Sequence, residues 1–124
     1  MKFKELRLNA TTDGSGDATT NATVPVIGRL YSVRWIDGDF SDGVDAVIST
    51  QNHDAGATLL TLTDANSDAT YYPRDLVHNA AGGALTGTSG GDRCLPLMVG
   101  LPRLVVSSGG ATKTGGCILF YFED

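Results

Sequence analysis

Residues 26–50, VIGRLYSVRWIDGDFSDGVDAVIST, form the segment that most constrains the fold. Two runs with alternating apolar residues flank a turn built almost wholly from Asp, Gly and Ser. This alternation is typical of half-buried strands, in which successive side chains point to opposite faces. In the first run it places Tyr31, Val33 and Trp35 on one face, with Trp35 pointing inward. The segment therefore predicts a strand, a long corner and a second strand.

The choice of charged residues favours turns over helices along the whole chain. Twelve of the 14 acidic residues are Asp, only three of the nine basic residues are Lys, and there are 16 Gly. Helix surfaces are usually filled by Glu and Lys, whereas Asp and Gly belong to turns and caps. We therefore predict an all-β fold, a jelly-roll-like two-sheet β-sandwich of short strands. A chain of 124 residues is long enough for one core, so we expect residues 1–124 to form a single domain.

The apolar patterning and the turn residues between the runs place the expected strands along the chain. Pro25 separates the second strand from the third, because it has no N–H to donate to a ladder. The expected strands are residues 2–8, 18–24, 26–36, 44–50, 58–63, 69–72, 95–99, 103–108 and 116–122.

The charge balance argues against nucleic acid as a partner. The formal net charge is -5, and a sequence-independent grip on nucleic acid needs a basic stripe. The nearest group is Lys2, Lys4 and Arg7 on the first strand. These cations either guard a strand edge against aggregation or form an arm that docks on an acidic partner. The sequence has no signal-peptide-like start and no apolar run of membrane-spanning length, so we expect no membrane partner and synthesis in the cytoplasm.

No residue set in the sequence predicts catalysis or a cofactor. The two cysteines, Cys94 and Cys117, lie among apolar residues and are expected as isolated core thiols, with a disulfide or a metal role as alternatives. His53 and His78 lack the motif of a nucleophilic triad and are expected in loops. We therefore expect no enzyme activity, no cofactor and no catalytic residue.

Two Asp-rich segments offer the oxygen ligands that a hard cation prefers. The first contains Asp37, Asp39, Asp42 and Asp45, and the second runs over residues 64–75. Neither has the glycine and ligand spacing of a calcium-binding EF-hand loop. We expect these carboxylates to accept hydrogen bonds from their own turns and to hold no metal.

Aromatic residues mark two possible interface anchors. The motif Tyr71-Tyr72-Pro73-Arg74 reads either as a strand end or as an anchor, because Tyr and Arg often dominate binding energy. The last strand is apolar on both faces, with Phe122 near its end. Such a strand is either covered on both sides or covered by another subunit. The expected interface residues are Lys2, Lys4, Arg7, Tyr71, Tyr72, Arg74 and Phe122.

Several segments, taken in order, resemble the capsid decoration or cement proteins, small minor capsid proteins of tailed bacteriophages. They are DGSGDAT, GRLYSVRWIDGDFSDGVDAVIST, YYPRD and TKTGGCILFYFED, and they cover nearly the whole chain. The resemblance implies a structural virion protein that binds the outer surface of an icosahedral head and stabilises contacts between major capsid protein subunits. It also implies a homo-oligomer, with a trimer favoured over a dimer, on virions that assemble in the host cytoplasm.

Two other functions remain open from the residues. The same sandwich could serve in a phage neck or tail, or it could be a carbohydrate-binding β-sandwich module. Sugar-binding modules usually display exposed aromatic side chains, and here the single Trp points inward.

Residues 79–92, NAAGGALTGTSGGD, form a glycine-rich segment whose role in binding a deletion can test. This segment has almost no bulky side chains, so ordering it without a partner would cost conformational entropy with little burial to offset that cost. Deleting it should weaken binding to capsids while the thermal unfolding midpoint stays near that of the intact chain. Unchanged binding in a pelleting assay would show that these residues do not contact the capsid.

Overall fold

The computed structural model describes residues 2–51, 57–76, 80–81 and 93–123. In these residues the chain forms ten β-strands and no helix. The strands are β1 (Lys2–Thr11), β2 (Ala18–Asn21), β3 (Val26–Ile36), β4 (Asp45–Gln51), β5 (Ala57–Leu62), β6 (Ala69–Tyr71), β7 (Asp75–Leu76), β8 (Arg93–Cys94), β9 (Leu97–Ser107) and β10 (Thr114–Glu123).

Eight of the strands pair as one long hairpin that has been rolled up. The first strand pairs with the last, β1 with β10, and the pairs β2–β9, β3–β6 and β4–β5 follow inward. The pairs β3–β10 and β4–β9 join these into sheet one, β1-β10-β3-β6, and sheet two, β2-β9-β4-β5, and every pairing is antiparallel. This arrangement is a jelly roll, and it confirms the predicted all-β two-sheet sandwich. The short ladder β7–β8 lies in the connection from β6 to β9.

Strand β9 joins the two sheets. Its first residues, 97–100, pair with β3 in sheet one, and residues 101–107 pair with β4 in sheet two. The prediction of two separate strands here is wrong, because Gly100 and Pro102 bend the chain without ending the strand. Gly100 has a φ of 121°, which a glycine adopts without strain, and the Pro102 carbonyl accepts a hydrogen bond from Ala22 N–H (2.8 Å).

The core lies between the sheets around Trp35. The Trp35 side chain has no exposed area, as its predicted inward orientation requires, and it stacks on Phe40 with ring centroids 5.7 Å apart. Its indole N–H donates to the Ala65 carbonyl (2.9 Å). This bond satisfies a buried donor and also ties the β5–β6 connection to β3.

A β-bulge at Tyr31 interrupts the regular alternation that the sequence predicts for β3. Opposite this strand, Phe120 pairs with Ser32 and the next residue, Tyr121, pairs with Leu30, so Tyr31 has no partner across the ladder. The extra residue shifts the side-chain phase. Leu30 and Val33 are both buried, and Tyr31 points outward instead of sharing the inner face with Val33 and Trp35.

Two leucines of β9 differ in burial, so replacing each of them tests where the core lies. Leu104 has no exposed area and Leu97 is 50% exposed. Replacing Leu104 by Ala should lower the free energy of unfolding by about 2–5 kcal/mol, because the removed methyl groups leave a cavity. Leu97→Ala, on the same strand, should cost less than about 1 kcal/mol. Urea unfolding of both variants makes the comparison, and equal losses would contradict this placement of the core.

Candidate interaction surface

The outer face of sheet one carries a row of side chains that crosses four strands. Phe3 of β1 lies opposite Phe122 of β10, Phe122 lies opposite Arg29 of β3, and Arg29 lies opposite Leu97 of β9. Directly opposed residues in antiparallel strands point to the same face. Their inward-pointing neighbours, including Leu30 and Met98, are buried in the core. The row therefore lies on the side of sheet one that faces away from the sandwich.

Aromatic rings on this side form one continuous cluster, which we call the aromatic face. Its members are Phe3, Tyr31, Tyr72, Phe120 and Phe122. Phe3 meets Phe122 at a centroid distance of 5.1 Å and Tyr31 at 6.0 Å. Tyr31 meets Tyr72 at 5.9 Å with an interplanar angle of 87°. Edge-to-face contacts of this kind hold the rings in place without covering them.

Arg74 is fixed at the border of the aromatic face. Its guanidinium Nη1 donates to the carbonyl oxygens of Tyr31 (2.9 Å) and Pro73 (2.6 Å). The same guanidinium lies 5.6 Å from the ring centroid of Tyr31 and 6.0 Å from that of Tyr72. These cation–π contacts and hydrogen bonds restrict the Arg74 side chain.

The aromatic face continues into exposed aliphatic side chains. Ile27 lies opposite Val99, and both are exposed, as is the neighbouring Leu97. Phe3 is 55% exposed and Tyr72 is 58% exposed. With large aromatic side chains offering about 150–250 Å² each when free, the patch amounts to roughly 500 Å² of apolar surface. That area lies toward the upper end for the largest patch on a monomeric protein, and patches of that size are often functional.

Basic side chains accompany the apolar ones on this face. Arg7, Arg29, Arg34 and Arg74 lie on this side of sheet one. Three carboxylates lie near them: Glu5 on the first strand, Asp68, whose Oδ2 is 4.0 Å from Arg34 Nη2, and Asp75, which lines one pocket with Arg29 and Arg74. The face is therefore cationic, although the chain as a whole has a net charge of -5.

Acidic residues gather at one end of the sandwich. Residues 12–17, 37–44, 63–68 and 108–113 connect the strands there, and backbone hydrogen bonds link them, such as Gly109 N–H to the Gly16 carbonyl and Ser41 N–H to the Gly109 carbonyl (both 2.9 Å). They contain seven of the 14 acidic residues and one of the nine basic residues. Phe3 and Phe122 lie at the other end of the sandwich, far from the pair Thr11–Thr114 that adjoins the acidic connections. The acidic residues of these connections and the aromatic face are therefore separated along the length of the sandwich.

The two Asp-rich segments meet at this acidic end. Asp68 Oδ1 accepts from Asp37 N–H (2.8 Å), and Asp45 Oδ1 accepts from Asp64 N–H (3.0 Å). Asp39 Oδ1 accepts from Thr114 N–H (2.5 Å). These three carboxylates therefore accept hydrogen bonds from other segments of the chain. The prediction that they bond within their own turns is wrong for them. Among the residues that the structure describes, no group of three His, Cys, Asp or Glu side chains could hold a metal ion.

The environments of Asp37 and Asp39 shift their pKa values in opposite directions. The hydrogen bond from Thr114 N–H lowers the pKa of Asp39, because it stabilises the ionised carboxylate. Burial raises the pKa of Asp37, and the nearby carboxylates of Asp68 and Asp42 raise it further. Asp37 Oδ1 is buried without a hydrogen-bond partner among the described residues.

The structure brings together some of the predicted interface residues. Tyr72, Arg74 and Phe122 meet in the aromatic face, and Arg7 lies farther along the same side of sheet one. Lys2 and Lys4 point to the other side of β1, where Lys4 Nζ lies 3.0 Å from Glu123. Tyr71 is half-buried and packs against the core.

Sequence reasoning missed Phe3, Tyr31, Phe120 and Arg29. The alternation in β1 contains a usable signal for Phe3, because Leu6 and Leu8 face inward and odd-numbered residues must then face outward. No comparable signal marks Tyr31, since its orientation depends on the bulge. Residues 79 and 82–92 of the glycine-rich segment, and both histidines, lie outside the described residues.

The cysteines are free, as expected for isolated thiols. Cys117 is buried in the core, where burial raises its pKa to about 12. Cys94 is only half-buried, in β8. The described residues contain no helix that is both long and apolar enough to cross a membrane.

Comparisons with known proteins add little to these observations. No model of a protein family and no curated protein matches the chain. Among solved structures, the chain is similar to one described as "Structure of infectious bursal disease virus Gx strain", with a TM-score of 0.40 and 9% sequence identity. The match covers 98% of this chain and 32% of that one.

Asp37 and Asp39 give a paired prediction for pH dependence. Asp39 has a lowered pKa when folded, so its contribution to stability is present above the unfolded pKa, near 3.8, and is lost as pH falls through the folded value. Asp37 has a raised pKa, so ionising it destabilises the fold as pH rises past 3.8. At pH 7, Asp39→Asn should therefore lower the free energy of unfolding and Asp37→Asn should raise it.

Urea unfolding at pH 7 and at pH 3 measures both variants beside the unaltered chain. At pH 3 the free energies of unfolding of Asp37→Asn and the unaltered chain should lie closer together than at pH 7, because Asp37 is then largely protonated. The free energies of unfolding of Asp39→Asn and the unaltered chain should converge only as pH falls through the lowered pKa of Asp39. Equal shifts of the same sign in the two variants would contradict the environments assigned to the two carboxylates.

Proposed function

We propose that this chain is a capsid decoration protein, which binds the outside of a tailed-phage head through its aromatic face and stabilises contacts between major capsid protein subunits. The observation that supports this proposal is the aromatic face itself, a rigid apolar surface on the outer side of sheet one. The resemblance of the sequence segments to decoration proteins supports it independently. Jelly rolls occur in viral capsid and lectin domains, so the fold is compatible with this role without implying it.

The size of the aromatic face fits a weak contact that is repeated many times. Burying roughly 500 Å² of apolar surface contributes about 12 kcal/mol at 25 cal/mol per Å². The loss of translational and rotational freedom on association costs about 4–15 kcal/mol, which offsets between about a third and all of that gain. A single copy would thus bind weakly, whereas an oligomer that engages several symmetry-related sites gains from multivalency. A trimer at a threefold position provides three such contacts.

The division of charge supports one orientation on the particle. The cationic aromatic face would contact the capsid, and the acidic end would be directed away from the contact. We propose accordingly that the protein lies on the virion surface, after assembly in the host cytoplasm. The protein could also dock through its aromatic face in the neck or tail of a phage. Its position on the purified particle distinguishes these cases from binding to the head.

A carbohydrate-binding module is the second candidate, and the exposed Tyr31 and Tyr72 favour it. Sugars stack on aromatic rings, and lectins include jelly rolls. Two features count against it. Trp35, the single Trp, is buried, and the rings of Tyr31 and Tyr72 meet at 87°, so these two tyrosines do not form one flat stacking platform. Phe3 and Phe120 do lie near parallel, at 11°, but Phe120 is half-buried.

The test combines light scattering with co-sedimentation on empty heads of the phage that encodes the chain. The unaltered protein should have the mass of a trimer and pellet at a fixed ratio to the major capsid protein. The double variant Phe3→Ser/Tyr72→Ser should bind at least about 30-fold more weakly, because truncating a buried aromatic anchor commonly costs 2 kcal/mol or more. Its thermal unfolding midpoint should stay close to that of the unaltered chain, since both residues are exposed.

Thr61→Ala serves as the control, because Thr61 is exposed on β5 at the far edge of sheet two. It should bind heads as the unaltered chain does. A protein that stays in the supernatant, or a double variant that pellets normally, contradicts the proposal. Binding on a glycan array that the double variant loses would instead support the carbohydrate-binding candidate.

A further inference from the structure

A pocket beside the aromatic face is lined in part by arginines. It has a volume of about 410 Å³ and is lined by Arg29, Arg74, Asp75, Arg93, Cys94, Leu95 and Leu97. A pocket of this size holds one or two side chains and not a folded element. Four strands, β3, β7, β8 and β9, and the segment after β6 contribute to it.

Two of these arginines, Arg29 and Arg74, retain N–H donors for a ligand. Arg74 uses Nη1 for the Tyr31 and Pro73 carbonyl oxygens, and a guanidinium has five N–H donors in all. Arg29 projects from the centre of sheet one between Phe122 and Leu97 and makes no ion pair with any described residue. Planar guanidinium groups with spare donors match the two oxygens of a carboxylate.

The remaining walls select among anions. Asp75 lies in the same pocket and offsets one of the three arginine charges, so charge alone does not select the ligand and the apolar wall must contribute. Leu95 and Leu97 provide an apolar wall for a methylene stem. A glutamate side chain has both features, a short apolar stem and a singly charged carboxylate.

We propose that this pocket binds a glutamate side chain of the protein on which the aromatic face docks. The occupant is thus an acidic segment of the partner with apolar residues on either side, which complements a cationic apolar face. This inference rests on the proposed docking function and names the chemistry of its partner. The aromatic rings supply buried area, and the pocket supplies the charge that sets the register of the two surfaces.

The first experiment needs no capsid. Blocked glutamate, acetyl-Glu-amide, is titrated into the ¹⁵N-labelled protein, and the side-chain Nε–Hε signals of Arg29 and Arg74 are followed by NMR. The signals should shift saturably with blocked glutamate and at least about tenfold more weakly with blocked glutamine, which has the same shape without the charge. Inorganic phosphate should bind no more tightly than blocked glutamate.

Arg29→Gln should abolish the saturable shift at Arg74. Arg103→Gln should not, because Arg103 lies on sheet two and donates to Asn21 Oδ1 (2.8 Å), away from the pocket. Equal responses to blocked glutamate and glutamine, no saturation, or tighter binding of phosphate would each overturn the glutamate assignment.

The second experiment separates this inference from the proposed function. Arg29→Gln should weaken head binding at least about tenfold, and Arg103→Gln should leave it unchanged. If Phe3→Ser/Tyr72→Ser loses head binding while Arg29→Gln retains it fully, the docking proposal stands and the glutamate pocket is overturned. If blocked glutamate binds while heads do not, the pocket stands and the capsid assignment fails.

Discussion

The pairing of β10 with both β1 and β3 is the constraint on which the rest of the molecule depends. It closes the roll by joining the two ends of the chain, and it places the alternating apolar residues of β10 between two strands. One set, Cys117, Leu119 and Tyr121, completes the core. The other set, including Phe120 and Phe122, must then lie outside, between Phe3 and Tyr31. An apolar outer surface is therefore a direct result of a doubly apolar strand at this place in the sheet.

The bulge opposite β10 turns that surface into an organised cluster. By inserting Tyr31 without a partner, it allows Leu30 and Val33 to face the core while Tyr31 reaches the outside. Tyr31 then contacts Phe3, Phe122 and Tyr72, and it also lies beside the Arg74 guanidinium. Bulges often redirect a side chain near functional sites, and this one sits where the aromatic rings and the arginines meet.

The acidic residues have a mainly structural role at the opposite end. Asp45 and Asp68 accept backbone hydrogen bonds across two connections, and Asp39 accepts one from the start of β10. These bonds satisfy backbone N–H groups that have no ladder partner near the strand ends. Concentrating Asp there also leaves the rest of the chain with slightly more basic than acidic residues. The aromatic face can thus be cationic in an acidic protein, because many of the acidic residues lie in the connections at the other end, where they accept hydrogen bonds.

The sequence by itself determined the class of fold, because period-two alternation and Asp- and Gly-rich turns are local properties. It determined β3 to the residue, the burial of Trp35 and the doubly apolar character of β10. Tertiary structure decided the rest. Whether β9 was one strand or two depended on pairing with two sheets, and the outward position of Tyr31 depended on a register shift against β10. The aromatic face joins residues 3, 31, 72 and 122, and only strand pairing brings residues so far apart in the chain into contact.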